Sequence, residues 1–283
     1  IPLAKEQIAA IVQAGGQAGI ARGDLLGFAE DAAKMGVAFD ISGEQAGEMM
    51  AQWRTAFSMD RSGVTTLADQ INFLGNTTAA STDKITDIVT RIGPLGEVGG
   101  LASGQIAALG ATISGTGVSS EISATGVKNL MLALTKGEAA TKSQAAAFQA
   151  LGLDATAVAK SMQEDAGGTI LTVMEKLRAL PREAQAGMLT ELFGSESVAA
   201  IAPLLTQLDT LEDNFNKVGD AQRYAGSMEK EYQSRSATTS NSLQLAKNNA
   251  ETFAAVVGTT ILPTLTAMAR KLGAAALWLS AFA

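Results

Sequence analysis

The sequence predicts an all-α fold, and three observations support this prediction. The chain has 283 residues, of which 47% are hydrophobic but only 5% are aromatic. Most of the apolar residues are alanine, leucine, isoleucine and valine, and alanine loses no side-chain entropy in a helix. Apolar residues recur at spacings of three or four, whereas no segment alternates for long with the period of two that marks a strand. We therefore expect short helices and helical hairpins joined by glycine-rich turns, followed by a long kinked amphipathic C-terminal helix.

The first hundred residues are predicted to form short amphipathic helices separated by polar or glycine breaks. Ser42 is a plausible N-cap, because the helix after it places Met49, Met50, Trp53 and Phe57 on one apolar side. These residues are expected to be core, with a methionine-rich binding groove as the alternative. The other predicted helices of this part span residues 5–14, 22–35, 65–75 and 81–92.

Two boundaries in this part are marked by particular residues. The pair Gly15-Gly16 is expected to end the first helix, because glycine disfavours helix interiors. Ser81 is expected to cap a helix that has Asp83 in its first turn and Arg91 in its last, which agrees with the helix dipole at both ends. The stretch GPLGEVGG (93–100) is predicted to be the clearest break.

A short internal similarity links two parts of the chain. The stretch QIAAIVQAGGQAGI (7–20) aligns without gaps with QIAALGATISGTGV (105–118), and each precedes a second helical stretch. Two interpretations remain open, a duplicated helix–turn–helix unit or a chance likeness between hairpins rich in alanine and glycine. Two copies would not form a solenoid.

The middle of the chain is predicted to continue as helical hairpins. Gly152 is expected to follow the end of one helix and Asp154 to cap the next. Pro181 is expected at a first helical position, where its missing N–H costs little. Gly194 is expected to end that helix. The predicted helices here span residues 143–151, 169–180, 183–193 and 195–211.

The last part is predicted to be one long amphipathic helix with a kink at Gly258 and Pro263. Its apolar residues recur at spacings of three or four: Leu243, Ala246, Ala250, Phe253, Val257, Ile261, Leu265, Met268 and Leu272. The final twelve residues carry no charge but are too few to span a bilayer, which takes about 20 residues. They begin either a membrane-inserting helix, if the natural chain stays apolar, or a buried or coiled-coil helix.

Charge and residue types exclude several classes of function. With 21 basic and 28 acidic residues the net charge is −7, and no basic stripe is present, so no specific nucleic-acid binding is expected. The chain has no cysteine and no histidine, which excludes disulfides, thiolate nucleophiles, zinc fingers and Ser-His-Asp catalysis within it. No signal peptide is visible, and both ends are expected to be cut from a longer chain.

The remaining residue types point to no chemistry. The acidic residues are scattered and are expected to lie on solvated helix faces: Glu30, Asp31, Glu164, Asp165, Glu183, Glu191, Glu212, Asp213, Glu229 and Glu231. The glycine-rich stretches 93–100 and 110–118 lack the Lys-Ser/Thr pair of a phosphate-binding loop, and no strand precedes them. We therefore assign no catalytic, cofactor-binding or metal-binding residue, and we expect a chain that needs no cofactor and is not an enzyme.

The order of motifs in the second half resembles the core region of phage tail tape-measure proteins. The stretch LRALPREAQAGMLTELFGSESVAAIAPLLTQLDTLEDNF (177–215) has the family's leucine helix, Leu-Pro turn, Leu-Phe-Gly and alanine/leucine helix. The stretches GEAATKSQAAAFQALGLD (137–154) and SATTSNSLQLAKNNAETFAAVVGTTILPTLTAMARKL (236–272) resemble the segments that precede and close this core. The resemblance is closest from about residue 100 to 272 and looser upstream, and the ordered series carries it.

The resemblance implies a structural protein of a long-tailed phage or a phage-derived particle. Such proteins fill the tail tube during assembly, set its length and leave ahead of the DNA at infection. The implied partners are the tail tube protein, tail assembly chaperones, baseplate or tip proteins and further copies of the chain in a homo-oligomer. The implied locations are the tail-tube lumen or tip, the host cytoplasm during assembly and the host envelope on ejection. No stretch matches the muralytic domains that some members carry.

The glycine breaks in residues 1–220 limit the part that this chain plays in a ruler. A ruler built as continuous helix rises about 1.5 Å per residue, but glycine breaks interrupt residues 1–220 too often for one rod. We expect an N-terminal helical region (1–100) and a tape-measure core region (101–220), joined to the long C-terminal helix and its apolar segment (221–283). Two rival functions are a membrane-active helical protein that inserts or forms pores through its C-terminal segment, and a cell-wall hydrolase.

Overall fold

A computed structural model describes residues 2–256 together with residue 259, and every regular element among them is helical. Because no strand occurs in these ranges, the predicted all-α class is confirmed. Short 3₁₀ turns lie at Gly137–Ala139 and Ser195–Ser197. The α-helices of the first half are α1 (Lys5–Gln17), α2 (Leu25–Phe39), α3 (Gly43–Ala56), α4 (Arg61–Thr77), α5 (Thr82–Ile92), α6 (Leu95–Val98), α7 (Ser103–Ser114) and α8 (Ser120–Thr135). Those that follow are α9 (Lys142–Ala150), α10 (Ala155–Glu164), α11 (Ala166–Arg178), α12 (Arg182–Phe193), α13 (Val198–Thr206), α14 (Leu208–Gly219), α15 (Ala221–Tyr224), α16 (Ser227–Ser236) and α17 (Thr239–Val256).

Side-chain caps begin several of these helices, as the sequence indicated. Ser42 Oγ accepts a hydrogen bond from the Gln45 N–H (3.1 Å), and Gln45 Oε1 accepts one from the Ser42 N–H (3.1 Å). Asp154 accepts from the Ala157 N–H at 2.8 Å. Ser81 occupies the N-cap position of α5 but makes no side-chain cap bond, so the expectation that it caps this helix is right only in position.

The predicted break at Gly15-Gly16 is wrong, because α1 runs through both glycines to Gln17. Gly15 is buried, and a β-carbon built on it would lie 2.8 Å from Cδ1 of Phe28. The glycine therefore allows α2 to approach α1 closely. Here tertiary packing outweighs the low helix propensity of glycine.

The single helix predicted over residues 195–211 is also wrong. A 3₁₀ turn comes first, and α13 and α14 follow it with a break at Gln207. Pro203 lies inside α13, where it lacks the N–H of a helical hydrogen bond. The break turns the chain so that the leucines of both helices reach the core, and the buried ones are Leu204, Leu205, Leu208 and Leu211.

Helix α7 lies at the centre of the body. All of its residues except Gln105 are buried, because α4, α5, α8, α13 and α14 pack around it. Thr112 and Ser114 fit this environment by donating their hydroxyl protons to carbonyls four residues earlier in the helix, at 2.8 and 2.6 Å. Since α4 and α5 precede residue 100 and the other three helices follow it, this core joins the two regions that the sequence indicated.

The two similar segments begin the same kind of local structure. Gln7 Oε1 accepts a hydrogen bond from the Ala4 N–H (2.9 Å), and Gln105 Oε1 accepts one from the Ala102 N–H (3.1 Å). Each glutamine thus satisfies a donor at the start of its helix. The helices α1 and α7 each pack against the helix that follows. This shared local geometry fits both interpretations, so duplication stays a hypothesis.

The described part of the predicted long C-terminal helix is α17. The predicted kink at Gly258 and Pro263 and the apolar run that begins at Leu272 lie outside the described residues.

Candidate interaction surface

The stretch 177–215 forms a packed corner around Gly194. This glycine ends α12 with φ +86°, and a β-carbon on it would lie 2.7 Å from Glu196 Oε1. The sequence predicts Pro181 at the first helical position of α12. In the structure it is the N-cap, one residue earlier. Asn129 Nδ2 on α8 donates to Ser197 Oγ (2.8 Å) and to Glu196 Oε1 (3.2 Å), which holds the corner on the body. The side chains that pack this corner are all buried: Leu189, Leu192 and Phe193.

Most of the acidic residues lie on solvent-facing surfaces, as expected. The exposed ones are Glu30, Glu164, Asp165, Glu183, Glu191, Glu212 and Asp213. Glu229 and Glu231 are half-buried. Asp31 is buried, so the expectation fails for this residue.

Asp31 forms a two-point ion pair with Arg61. Its Oδ1 accepts from Arg61 Nη2 at 2.9 Å, and its Oδ2 accepts from Arg61 Nε. Such a paired geometry satisfies both carboxylate oxygens and compensates for the burial of the charge. The pair lies in an open cleft of about 600 Å³, which the side chains of Phe28, Met50 and Val64 also line. Met50 is 2% exposed, so it belongs to the hydrophobic core at the point where the core borders this cleft.

A buried polar cluster ties α14 to α4 and α7. Asn214 Nδ2 donates to Thr112 Oγ1 at 3.0 Å. Lys217, which is only 8% exposed, places Nζ 3.2 Å from Asn214 Oδ1, 3.4 Å from the Thr77 carbonyl and 2.8 Å from Asp213 Oδ2. The hydrogen bond from Lys217 is the main cause that lowers the pKa of Asp213. The cluster anchors α14, the last helix before the polar part of the chain.

The N-terminus of α16 is bound by side chains of α4. Asp69 accepts hydrogen bonds from the backbone N–H of Gly226 (2.8 Å) and of Met228 (2.9 Å). The carboxylate therefore neutralises the positive end of the helix dipole. Burial raises the pKa of Asp69, and the two backbone hydrogen bonds offset part of this rise. Ser227 Oγ donates to Asn72 Oδ1 at 2.7 Å.

Ion pairs continue the contact between α16 and α2. Lys34 Nζ lies 3.0 Å from Glu30 Oε1 and 3.1 Å from Glu229 Oε2. The hydrogen bond to Glu30 is the main cause that raises the pKa of Lys34, and burial acts against it. Arg235 Nη1 lies 3.8 Å from Asp40 Oδ2. Charged side chains thus form part of the contact between α16 and α2.

Helix α17 carries an exposed apolar stripe, which we call the α17 seam: Leu243, Ala246, Ala250 and Phe253. All four residues are exposed, Leu243 by 67% and Phe253 by 71%. Their spacing of three, four and three matches the a and d positions of a heptad, the pattern that packs helices in coiled coils. The seam is therefore a candidate surface for association with another helix.

Polar contacts hold the middle of α17 near the start of the chain. Asn248 Nδ2 donates to the Leu3 carbonyl at 2.7 Å. Lys5 Nζ lies 3.4 Å from Glu251 Oε2, and both side chains are largely exposed. The start of the chain and the second half of α17 therefore lie side by side.

Within the described part of the chain, no single helix is long and apolar enough to cross a bilayer. The pair Arg182–Phe193 and Ser195–Thr206 meets the length and composition requirement only when taken together, and the two are bent by 116°. No cluster of acidic side chains with the arrangement of a metal site occurs among the described residues.

The polar residues that position α14 and α16 were not found from the sequence. Asp69 and Lys217 each bind groups more than a hundred positions away, and a single sequence does not show such pairs. The only signal is the stretch LADQINFL (67–74), in which polar residues interrupt an otherwise apolar helix.

The chain is similar in sequence to known phage tail proteins. A sequence profile described as the phage-related minor tail protein family matches residues 1–194. The likeness thus reaches further toward the N-terminus than the motifs indicated. A protein of Halomonas phage phiHAP-1 described as a probable tape measure protein is 35% identical over 270 residues. The alignment covers 93% of this chain but 31% of that relative, so the chain spans about a third of its length. No solved structure matches.

Proposed function

The chain belongs to the phage-related minor tail protein family, and we propose that it is a structural segment of a tape-measure protein in a phage tail or tail-like particle. The whole protein would occupy the tail tube, govern tail length during assembly and leave when DNA is ejected. The observation that carries this proposal is the 35% identity, over nearly the whole chain, with a relative described as a probable tape measure protein. In this proposal the chain is not an enzyme.

Within that protein we assign this segment the role of a folded head that starts assembly. Its helices are short and fold back on one another, five of them around α7, so they add little length along one axis. The 17 residues of α4 extend only about 26 Å at about 1.5 Å per residue. A ruler needs continuous helix, and the rest of a longer protein would supply it.

The α17 seam supports the proposal that copies of the chain associate through this helix. Apolar a and d positions are buried when helices pair, and burial of apolar area favours association. Replacing Leu243 and Phe253 with Glu should therefore shift the chain toward monomer in analytical ultracentrifugation. Leu26→Glu is the control, because Leu26 is 82% exposed on another helix. An equal effect of both changes would count against the seam.

The partners proposed for the head are the tail assembly chaperones, the tube protein and the baseplate or tip. Contact of the C-terminal apolar segment with a host membrane stays a prediction, and leakage of liposomes by the 283-residue chain tests it. Leakage that persists after removal of residues 272–283 would assign the effect to another part of the chain.

The head proposal is tested by an in-frame deletion of residues 2–218 from the full-length gene, followed by electron microscopy of tails. Loss of most tails is expected, because assembly would lack its starting structure. The control is a deletion of equal length elsewhere in the same gene, which should shorten tails. If the first deletion instead shortens tails by about 330 Å, the rise of an equally long helix, the segment is part of the ruler. Tails of unchanged number and length would contradict both roles.

A further inference from the structure

We propose that residues 221–256, which comprise α15, α16 and α17, form a releasable strap. The strap detaches as one unit from the body, α1 to α14, while the body stays folded. This inference concerns the isolated chain and stands independently of the tape-measure assignment.

Apolar burial is distributed very unevenly between strap and body. Met228 is buried, and Tyr232 is half-buried against the core, but the described residues of α15 and α17 include no buried side chain. In the body, α5 alone buries four isoleucine and valine side chains. Because burial of apolar area is the main favourable term in folding, the strap is held far more weakly than any part of the body core.

Polar contacts join the strap to the body at several points. Asp69 binds the N-terminus of α16, and Lys34 joins Glu229 to α2. Two further ion pairs join side chains in contact with solvent: Arg235 and Asp40 are 40% and 89% exposed, and Lys5 and Glu251 are 58% and 42% exposed. Ion pairs in contact with solvent contribute little and are screened by salt. Raised ionic strength should therefore weaken the strap more than the body.

The connection between body and strap permits such a separation. Gly219 ends α14 in open space, and Gly226 precedes α16 with φ +75°. Helix α15, between them, has only four residues and buries none. In contrast, Lys217 and Asn214 fix α14 to the body. The chain therefore changes from anchored to weakly held within a few residues.

Hydrogen exchange followed by mass spectrometry on the 283-residue chain tests the proposal. In low salt the amides of residues 227–236 should exchange faster than those of α5 and α7, and 0.5 M NaCl should increase the difference. Asp69→Ala should speed exchange in 227–236 by about five- to thirtyfold and leave α5 and α7 unchanged. Asp69→Asn keeps one acceptor oxygen and should give an intermediate rate.

Asp165→Ala is the matched control, because Asp165 caps α11 inside the body by accepting from the Gly168 N–H at 3.0 Å. This change should alter exchange in α11 and leave residues 227–236 as they were. Two results would overturn the proposal: equal exchange rates for α16 and α7 at both salt concentrations, or faster exchange throughout the chain in Asp69→Ala. If that variant does not fold, the salt series on the unaltered chain decides.

Discussion

Two glycines seven residues apart in the packed corner show how position decides the role of a residue. Gly187 lies in the middle of α12, exposed, and a β-carbon on it would meet no atom within 4 Å. Gly194 ends the same helix with φ +86° and ψ +150°, a conformation that only glycine adopts without strain. The sequence predicts that Gly194 ends a helix. It does not reveal that the Glu196 carboxylate occupies the space that a β-carbon on residue 194 would need.

Alanine substitutions at these two glycines should change stability in opposite directions. Gly187→Ala should raise the free energy of unfolding by about 0.5–1 kcal/mol, because alanine is favoured in helix interiors. Gly194→Ala should lower it by about 1–3 kcal/mol through backbone strain. Urea unfolding followed by circular dichroism measures both. A loss at Gly187 or no loss at Gly194 would contradict the geometry of the corner.

Asp69 and Asp213 should give opposite dependences of stability on pH. Burial raises the pKa of Asp69, so its contribution is fully present below the unfolded pKa and is lost as pH rises through the folded one. Lys217 lowers the pKa of Asp213, so that contribution is present above the unfolded pKa and is lost as pH falls through the folded one.

Asparagine variants reveal these signs in urea unfolding between pH 2 and pH 7. Asp213→Asn should lower the free energy of unfolding at pH 7, and this effect should shrink as pH falls through the folded pKa of Asp213. The free energy of unfolding of Asp69→Asn, relative to that of the unaltered chain, should be higher at pH 7 than at pH 3. The same trend with pH in both variants would show that one of the two environments is wrongly described.

At the scale of the helix, the caps of α3 and α5 provide a direct comparison. Both helices follow a serine in extended conformation, but only Ser42 accepts a hydrogen bond from its helix. Ser42→Ala should therefore cost about 1 kcal/mol, whereas Ser81→Ala should cost a few tenths. Thermal unfolding of the two variants measures the difference. Equal losses would mean that the local preference of serine, and not the hydrogen bond, stabilises these helix starts.

Helix identity was predictable because the apolar spacing is local, but helix ends were decided by distant contacts. Ser42 and Asp154 could be recognised from their own neighbours in sequence, since a cap acts over three residues. Gly15 could not, because Phe28 of another helix determines that α1 continues. The break at Gln207 likewise follows from the need to bury leucines on two sides, and no turn signal marks it.

At the scale of the molecule, the sequence predicted the fold class but not the arrangement around α7. In the sequence, α7 looks like any other helix of a hairpin. Only the structure, in which five other helices pack on α7, shows that it lies at the centre of the core. The apolar spacing of the α17 seam was visible in the sequence, but its exposure was not. The polar docking of α16 was not visible either, because Asp69 and its partners are far apart in the chain. Local signals thus predict elements, and long-range polar contacts decide how the strap lies on the body.

Pulling on the two ends of the described chain should release the strap before the body. The Leu3 carbonyl accepts a hydrogen bond from Asn248, and Lys5 pairs with Glu251, so a load on residues 2 and 256 reaches these contacts first and releases the strap in one step. Optical tweezers should record a first lengthening of about 120 Å at low force, since residues 221–256 extend by about 3.4 Å each. A second, larger event at higher force should follow as the core around α7 opens.

Lys5→Ala should lower the force of the first event and leave the second unchanged, because it removes one strap contact made by an exposed side chain. Lys160→Ala, which removes an exposed ion pair on α10, should change neither. A single event that lengthens the whole chain would mean that strap and body unfold together. In that case the weak polar interface described for α16 would be as strong as the apolar core, against the difference in buried area between them.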